Sequence, residues 1–166
     1  MRTKLLSLFA ASLLLGACAS ETTTTAGSAG SGAAAAPAPA AAPRTGPVPG
    51  SQQDLVVNVG DRVFFDLDKS DLKPEARRTL ERQAAWLKQY GNVAVTIEGH
   101  CDERGTREYN LALGDRRAKA AANYLASLGI AANRIRTISY GKERPAVLGS
   151  NEAAWSQNRR GVTVVN

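Results

Sequence analysis

The chain is poor in the residues that build most metal and nucleophile sites. It has one histidine and two cysteines, and aromatic residues make up 5% of its 166 residues. A catalytic zinc site needs three well-placed ligands, so here it would have to rely mostly on carboxylates. His100 and Cys101 are neighbours in a segment expected to be extended, where successive side chains point to opposite faces, so they cannot readily form an activated pair. The sequence therefore predicts no metal, no cofactor and no catalytic group.

The amino-terminal apolar run is too short to span a membrane. It covers residues 5–15, whereas a helical span needs about 20 apolar residues. Arg2 and Lys4 precede the run, and two small residues follow it before Cys18. A short apolar run with a basic start and a small-residue end is typical of an export signal, so residues 1–17 are predicted to be a signal peptide.

Cys18 is the predicted lipidation site. Residues 15–18 read Leu-Gly-Ala-Cys and resemble a bacterial lipobox, which implies cleavage before Cys18 and attachment of lipid to its sulfur. The three acyl chains usual for such lipoproteins give stable anchorage, whereas one chain holds a protein only marginally. The absence of aspartate after Cys18 implies sorting to the cell outer membrane, with the rest of the chain in the periplasm. The alternative is an ordinary signal peptide with a coincidental cysteine.

Large apolar side chains are almost absent from residues 18–52. This stretch is rich in Ala, Thr, Gly, Ser and Pro and holds five of the seven prolines. Such a composition cannot bury enough apolar surface to form a core, so we predict a flexible tether. Its root-mean-square span would be roughly 30 Å, more where prolines extend it. Residues 53–166 then form one domain with a core of its own.

The charge balance argues against a nucleic-acid partner. The formal charge of +6 includes Arg2 and Lys4 of the predicted signal. The remaining charges lie in mixed-sign clusters along the chain rather than in a basic stripe, so no nucleic acid is expected as a ligand.

Hydrophobic spacing predicts alternating strands and helices in residues 53–166. We expect strands around 63–65, 93–97, 135–138 and 162–165, and helices at about 74–90, 107–128 and 152–159. Pro74 suits a first helical turn, and Gly91 and Gly129 suit helix ends. Asp71 is expected to cap the first of these helices. The order β-α-β-α-β-α-β predicts an α+β fold, with helices layered on one sheet.

Two opposite charges fall where the apolar pattern predicts a core. Asp102 lies in a Gly-flanked loop after the second strand, while Asn110 and Arg117 project from the same helical stripe as Leu113. A half-buried guanidinium without an anion is costly, so Arg117 should meet Asp102, a ligand carboxylate, or both in turn. Such a pair could grip a zwitterionic amino acid. A purely structural salt bridge is the alternative.

The segment resembles the OmpA-like peptidoglycan-binding domain. That family has Asp in a Gly-His-x-Asp turn followed by Asn-x-x-Leu-x-x-x-Arg, and here these positions are Gly99, His100, Asp102, Asn110, Leu113 and Arg117. Residues 65–72 and 139–160 are similar to its peptidoglycan-associated lipoprotein group. The chain departs from the family pattern at two positions. Cys101 stands where the family usually has a small residue, and Gly114 stands where many members have Ser. The resemblance covers about residues 61–166 and implies one mixed four-stranded sheet.

The resemblance also implies a ligand and its contacts. The family holds the diaminopimelate residue of peptidoglycan stem peptides without cutting it. By position, the contact residues are Leu67, Asp68, Asp102, Arg104, Asn110, Leu113 and Arg117.

The function implied by the resemblance is a tether between the outer membrane and the cell wall. Implied partners are peptidoglycan, TolB and the inner-membrane Tol proteins of the Tol-Pal system, which acts in envelope constriction during cell division. The rival hypothesis is a cell-wall hydrolase using Glu103 or Cys101. Cys101 is more simply explained as a buried inert thiol, with disulfide-linked dimers as the other option.

Overall fold

The computed structural model describes residues 46–166. The predicted signal peptide, Cys18 and the tether up to residue 45 lie outside the described residues. In residues 46–166, no helix combines the length and apolar character needed to cross a membrane.

Four strands and four helices alternate along the described chain. The strands are β1 (Arg62–Phe64), β2 (Val95–His100), β3 (Ile135–Gly141) and β4 (Arg160–Val165). The helices are α1 (Gln52–Asp54, continued by a π turn at Leu55–Val59), α2 (Pro74–Gln89), α3 (Arg107–Ser127) and α4 (Glu152–Asn158). A short 3-10 turn, Ala132–Arg134, leads into β3. The predicted strands and the three predicted helices are confirmed, with their ends shifted by a few residues.

The strands form one mixed sheet in the order β1-β4-β2-β3. Strands β2 and β3 run parallel, with Val95 opposite Ile135, whereas β4 pairs antiparallel with both β1 and β2. The parallel pair needs a crossover, and α3 supplies it by packing on β2 and β3. The predicted α+β fold on one mixed four-stranded sheet is confirmed.

The core lies between the sheet and helices α2 and α3. Helix α2 turns one apolar face inward, so Leu80 and Leu87 are fully buried, and they meet Val95 and Ile97 of β2. From α3, Ala118, Ala121 and Leu125 complete the same cluster. Leu80 and Leu87 lie two turns apart on α2, and the three residues of α3 recur every three or four positions. Both spacings place the side chains on one inward face of each helix.

The cap expected at the start of α2 is wrong. The N-cap residue is Lys73, which makes no side-chain capping bond, and Asp71 is exposed. Lys73 instead forms an ion pair with Asp66 at 2.6 Å. Pro74 lacks an N–H and needs no acceptor, so the helix begins with one fewer unpaired donor.

Helix α1 was not predicted. It begins at Gln52, so ordered structure starts just before residue 53. The side chain of Gln52 donates to the Thr163 carbonyl at 3.3 Å and accepts from the Val165 amide at 2.7 Å, which ties it to β4. Asp54 accepts from Trp86 Nε1 at 2.9 Å and is buried. These polar contacts have no apolar periodicity, so the sequence pattern did not reveal them.

Helix α3 approaches the sheet unusually closely at two glycines. A Cβ on Gly99 of β2 would lie 1.8 Å from the carbonyl oxygen of Gly114, and one on Gly114 would lie 2.3 Å from Ser139 Oγ. A side chain at Gly114 would therefore strike β3, so glycine is the residue that fits this position in the chain. The close approach brings the first turns of α3 against the carboxyl end of β2.

Candidate ligand-binding site

A cavity of about 220 Å³ opens where β1 and β2 end and α3 begins. All seven residues predicted as ligand contacts line it, on three separate segments: Leu67 and Asp68 after β1, Asp102 and Arg104 after β2, and Asn110, Leu113 and Arg117 on α3. Cys101, Gly105, Tyr109 and Arg159 complete the lining. The chain thus brings the predicted residues together at strand ends and next to a helix N-terminus, a common place for a binding cleft.

Asp102 is the buried anion of this cavity, and its partners are two arginines other than Arg117. Its carboxylate accepts from Arg104 Nη2 at 2.5 Å and from Arg159 Nη1 at 3.3 Å, and only 5% of its side chain is exposed. Arg117 therefore does not pair directly with Asp102, which was one of the partners expected for it. Arg104 reaches back two residues to Asp102, and Arg159 comes from the junction between α4 and β4, so both cations lie beside the carboxylate.

Arg117 is fully buried and binds backbone carbonyls. Its Nε donates to Lys69 O at 2.8 Å, Nη1 to His100 O at 2.8 Å and Nη2 to Asp66 O at 3.0 Å. The guanidinium also lies 5.2 Å from the centroid of the Phe65 ring. Five fixed N–H donors allow arginine to satisfy several acceptors at once, which here joins the turn after β1 to the end of β2.

Burial and hydrogen bonding act in opposite directions on the pKa of Asp102. Burial raises the pKa of this carboxyl, but the hydrogen bonds from Arg104 and Arg159 outweigh burial, so the pKa is lowered from its ordinary value. Asp102 is therefore ionised at neutral pH. Burial lowers the pKa of the Arg117 guanidinium, which stays charged because arginine is not deprotonated in proteins.

Asn110 shapes the loop that carries Asp102. Its Nδ2 donates to Arg104 O at 2.6 Å and to Thr106 O at 3.0 Å. Thr106 caps α3 by accepting from the Tyr109 amide. The amide of Asn110 therefore closes the loop onto the helix start, while Leu113, one turn further on, forms apolar cavity wall.

The opposite side of the cavity is formed by Leu67 and Asp68. Leu67 is 55% exposed, and Asp68 has a positive φ of 58°, the left-handed region that few residues other than glycine adopt. Tyr109 donates its hydroxyl to the carboxylate of Asp68. This bond fixes the Asp68 turn to the first turn of α3.

Three residues of the cavity lining escaped the sequence analysis, namely Gly105, Tyr109 and Arg159. Tyr109 is 45% exposed and lies at the cavity mouth, where the helical pattern gave no signal of a ligand contact. Arg159 was not singled out, although it belongs to the segment 139–160 that resembles the family. An arginine at the junction between a short helix and a strand carries no periodic signal, so only its position relative to Asp102 reveals its role.

The rival catalytic groups are not activated. Burial raises the pKa of the Cys101 thiol, whose Sγ donates to Asn110 O at 3.3 Å, so the reactive thiolate is disfavoured. Hydrogen bonds from Ser150 and Trp155 lower the pKa of Glu103, which makes it a poor general acid. His100 lies beside Glu98, at 3.4 Å, rather than beside Cys101. No three His, Cys, Asp or Glu side chains of residues 46–166 come together to hold a metal ion.

Comparison with known proteins places this site in a family. The OmpA family matches residues 64–159, a range that contains every lining residue of the cavity. The chain belongs to the OmpA family. It is 61% identical over 117 residues to the peptidoglycan-associated lipoprotein of Agrobacterium fabrum and 62% identical over 117 residues to that of Rhizobium meliloti. Each match covers 70% of this chain and 66% of the relative, so the chain spans just under two thirds of their length.

A solved structure supports the same assignment. The crystal structure of the peptidoglycan-associated lipoprotein from Burkholderia pseudomallei shares 40% sequence identity with this chain, at a TM-score of 0.62. The likeness covers 64% of this chain and 90% of that one. These relatives place the chain in the peptidoglycan-associated lipoprotein group of the family.

Proposed function

We propose that this protein binds peptidoglycan non-covalently by holding the diaminopimelate residue of a stem peptide in the cavity. The observation that carries the proposal is the buried, ionised Asp102, which lies in a cavity lined also by Arg104, Arg117 and Arg159. Diaminopimelate carries an ammonium group and a carboxylate at the end of its side chain. An acidic acceptor surrounded by guanidinium groups is complementary to that zwitterion. The relatives' name, peptidoglycan-associated lipoprotein, supports the same ligand.

We further propose that the domain is anchored in the outer membrane through lipid on Cys18. The tether of residues 18–52 would then span roughly 30 Å between the membrane and the wall. A membrane anchor at one end and a wall-binding cavity at the other would join the two envelope layers. The lipobox-like residues 15–18 support this proposal.

The resemblance to the peptidoglycan-associated lipoprotein group also suggests partners. We propose that the domain docks to TolB and the inner-membrane Tol proteins during envelope constriction in cell division. The similarity over residues 64–159 supports this assignment, because docking surfaces usually belong to the folded domain.

Co-sedimentation of the full chain with purified sacculi tests the wall-binding proposal. We expect Asp102→Asn to weaken binding per folded molecule at least about tenfold, because it removes a charge-assisted contact that is worth about 1.5 kcal/mol or more. Asp115→Asn is the matched control, since Asp115 is a partly exposed residue of α3 that pairs with Lys119 and does not line the cavity. Equal binding by the two variants would contradict the proposal.

The same sacculi distinguish a binder from a hydrolase. A hydrolase releases soluble muropeptides, whereas a binder only co-sediments. Release of muropeptides that Glu103→Gln abolishes would support the hydrolase instead.

The protein should bind less well to walls whose third stem residue is lysine, since lysine lacks the second carboxylate.

A further inference from the structure

Trp155 of α4 touches the loop that carries Asp102 through two neighbouring residues. The guanidinium carbon of Arg104 lies 4.0 Å from the centroid of the Trp155 ring. The indole Nε1 donates to Glu103 Oε1 at 3.1 Å. A cation within about 6 Å of an aromatic face is attracted to it, most strongly when the ring is tryptophan.

Arg104 is held from two directions. Its Nη2 lies 2.5 Å from Asp102 Oδ2 and its Nε lies 3.2 Å from Oδ1, while the indole lies against the same guanidinium. The Arg104 side chain is 34% exposed. A partly exposed arginine that lacked the indole contact would be freer to leave the carboxylate, because its long side chain has many rotamers in water.

Helix α4, which carries Trp155, is itself fixed to the floor of the cavity. Arg159, directly after α4, donates to Asp102 Oδ2 at 3.3 Å, to Phe65 O at 3.1 Å and to Glu152 Oε1 at 2.5 Å. The ring therefore has a defined place relative to Asp102. Trp155 does not line the cavity, so its influence on a ligand must pass through the loop that it touches, at Arg104 or at Glu103.

We propose that Trp155 is a positioning residue whose ring face holds Arg104 in the rotamer that orients the Asp102 carboxylate toward the cavity. This inference rests on the proposed binding of stem peptides. Loss of the ring face would leave the cavity lining unchanged in composition but would release Arg104. The ligand would then meet a carboxylate and a guanidinium without a fixed geometry, and affinity would fall.

The test compares Trp155→Phe with Trp155→Leu in the full chain. The probe is a soluble stem tripeptide ending in meso-diaminopimelate, titrated by calorimetry. Phenylalanine retains an aromatic face and leucine does not, so we expect affinity per folded molecule to fall at least about fivefold in Trp155→Leu and to stay within about twofold in Trp155→Phe. Gln157→Ala, an exposed change on the same helix, is the control and should bind as the wild type does.

A second measurement needs no ligand. The NMR resonance of Arg104 Hε should show a ring-current shift in the wild type, keep most of it in Trp155→Phe and lose it in Trp155→Leu. Equal affinities of wild type and Trp155→Leu, equal losses in both Trp155 variants, or an unchanged Arg104 resonance in Trp155→Leu would each overturn the inference. If the wild type itself fails to bind the tripeptide, the proposed function fails, and the Arg104 resonance still decides whether Trp155 positions Arg104.

Discussion

Asp102 and Arg117 illustrate how burial governs the partners of single charged residues. Removal of a carboxylate from water must be compensated, and Arg104 and Arg159 do this for Asp102. A buried guanidinium needs acceptors, but these need not be charged. Two carbonyl oxygens of the turn after β1 and one at the end of β2 supply three of them. Arg117 therefore stabilises the turn after β1 while leaving Asp102 to the other two arginines.

His100 should make the stability of the fold depend on pH between about pH 6.5 and pH 4. It is the only histidine of the chain, and it is almost fully buried. Burial, together with the positive charges of Arg160, Arg144 and Arg62, lowers its pKa from 6.5 to about 4. As the pH falls, His100 therefore binds a proton in the unfolded chain at a higher pH than in the folded chain. The free energy of unfolding should therefore be unaffected by His100 above about pH 6.5. It should fall by about 3 kcal/mol as the pH is lowered to about 4.

Urea unfolding of the wild type and of His100→Gln at pH 7, 6 and 5 checks this prediction. The variant has no titrating side chain at this position, so its free energy of unfolding should stay nearly level over that range. The buried acids with lowered pKa values, such as Asp54 and Asp102, lose their contribution mainly at lower pH. A wild-type slope that persists unchanged in His100→Gln would show that another group is responsible.

At the scale of elements, the position of α3 depends on two glycines that allow it to lie against β2 and β3. Gly114→Ala would place a Cβ 2.3 Å from Ser139 Oγ and 2.9 Å from Gly99 O. The general preference of helices for alanine over glycine, about 1 kcal/mol, is too small to offset this overlap. We expect a net destabilisation of about 1 to 3 kcal/mol, measured by urea unfolding.

Gly91→Ala is the control for this change, because no atom lies within 4 Å of the added Cβ. It should leave stability nearly unchanged. Adding Ser139→Gly to Gly114→Ala should recover only part of the loss, since the contact with the Gly99 carbonyl remains. A Gly114→Ala protein as stable as the Gly91→Ala protein would contradict the close packing of α3.

At the scale of the whole molecule, the proposed function requires that the anchor and the cavity act together. Cys18→Ala should release the chain from the membrane fraction while leaving sacculus binding intact, because the lipid and the cavity belong to separate parts of the chain. Cell fractionation and labelling with radioactive palmitate measure the first effect, and co-sedimentation measures the second. An unlabelled wild type would contradict lipidation at Cys18.

The sequence by itself determined the order of the main strands and helices, because their apolar residues repeat with the periods of strands and helices. It also indicated which face of α3 is buried, so Asn110, Leu113 and Arg117 were correctly placed inward. The sequence and the family resemblance together predicted seven contact residues, and all seven line the cavity. Helix α1 was missed, because polar contacts such as those of Gln52 and Asp54 follow no period.

Only the tertiary structure decided which charged groups meet. Spacing along a helix fixes the direction of a side chain, but several acceptors lie within reach of a long guanidinium, and their distances depend on how the strand ends and loops pack. Arg117 therefore meets three carbonyls, while Arg159, 57 positions from Asp102 in the sequence, reaches that carboxylate. The stacking of Arg104 on Trp155 has the same origin, since α4 and the loop after β2 become neighbours only in the folded chain.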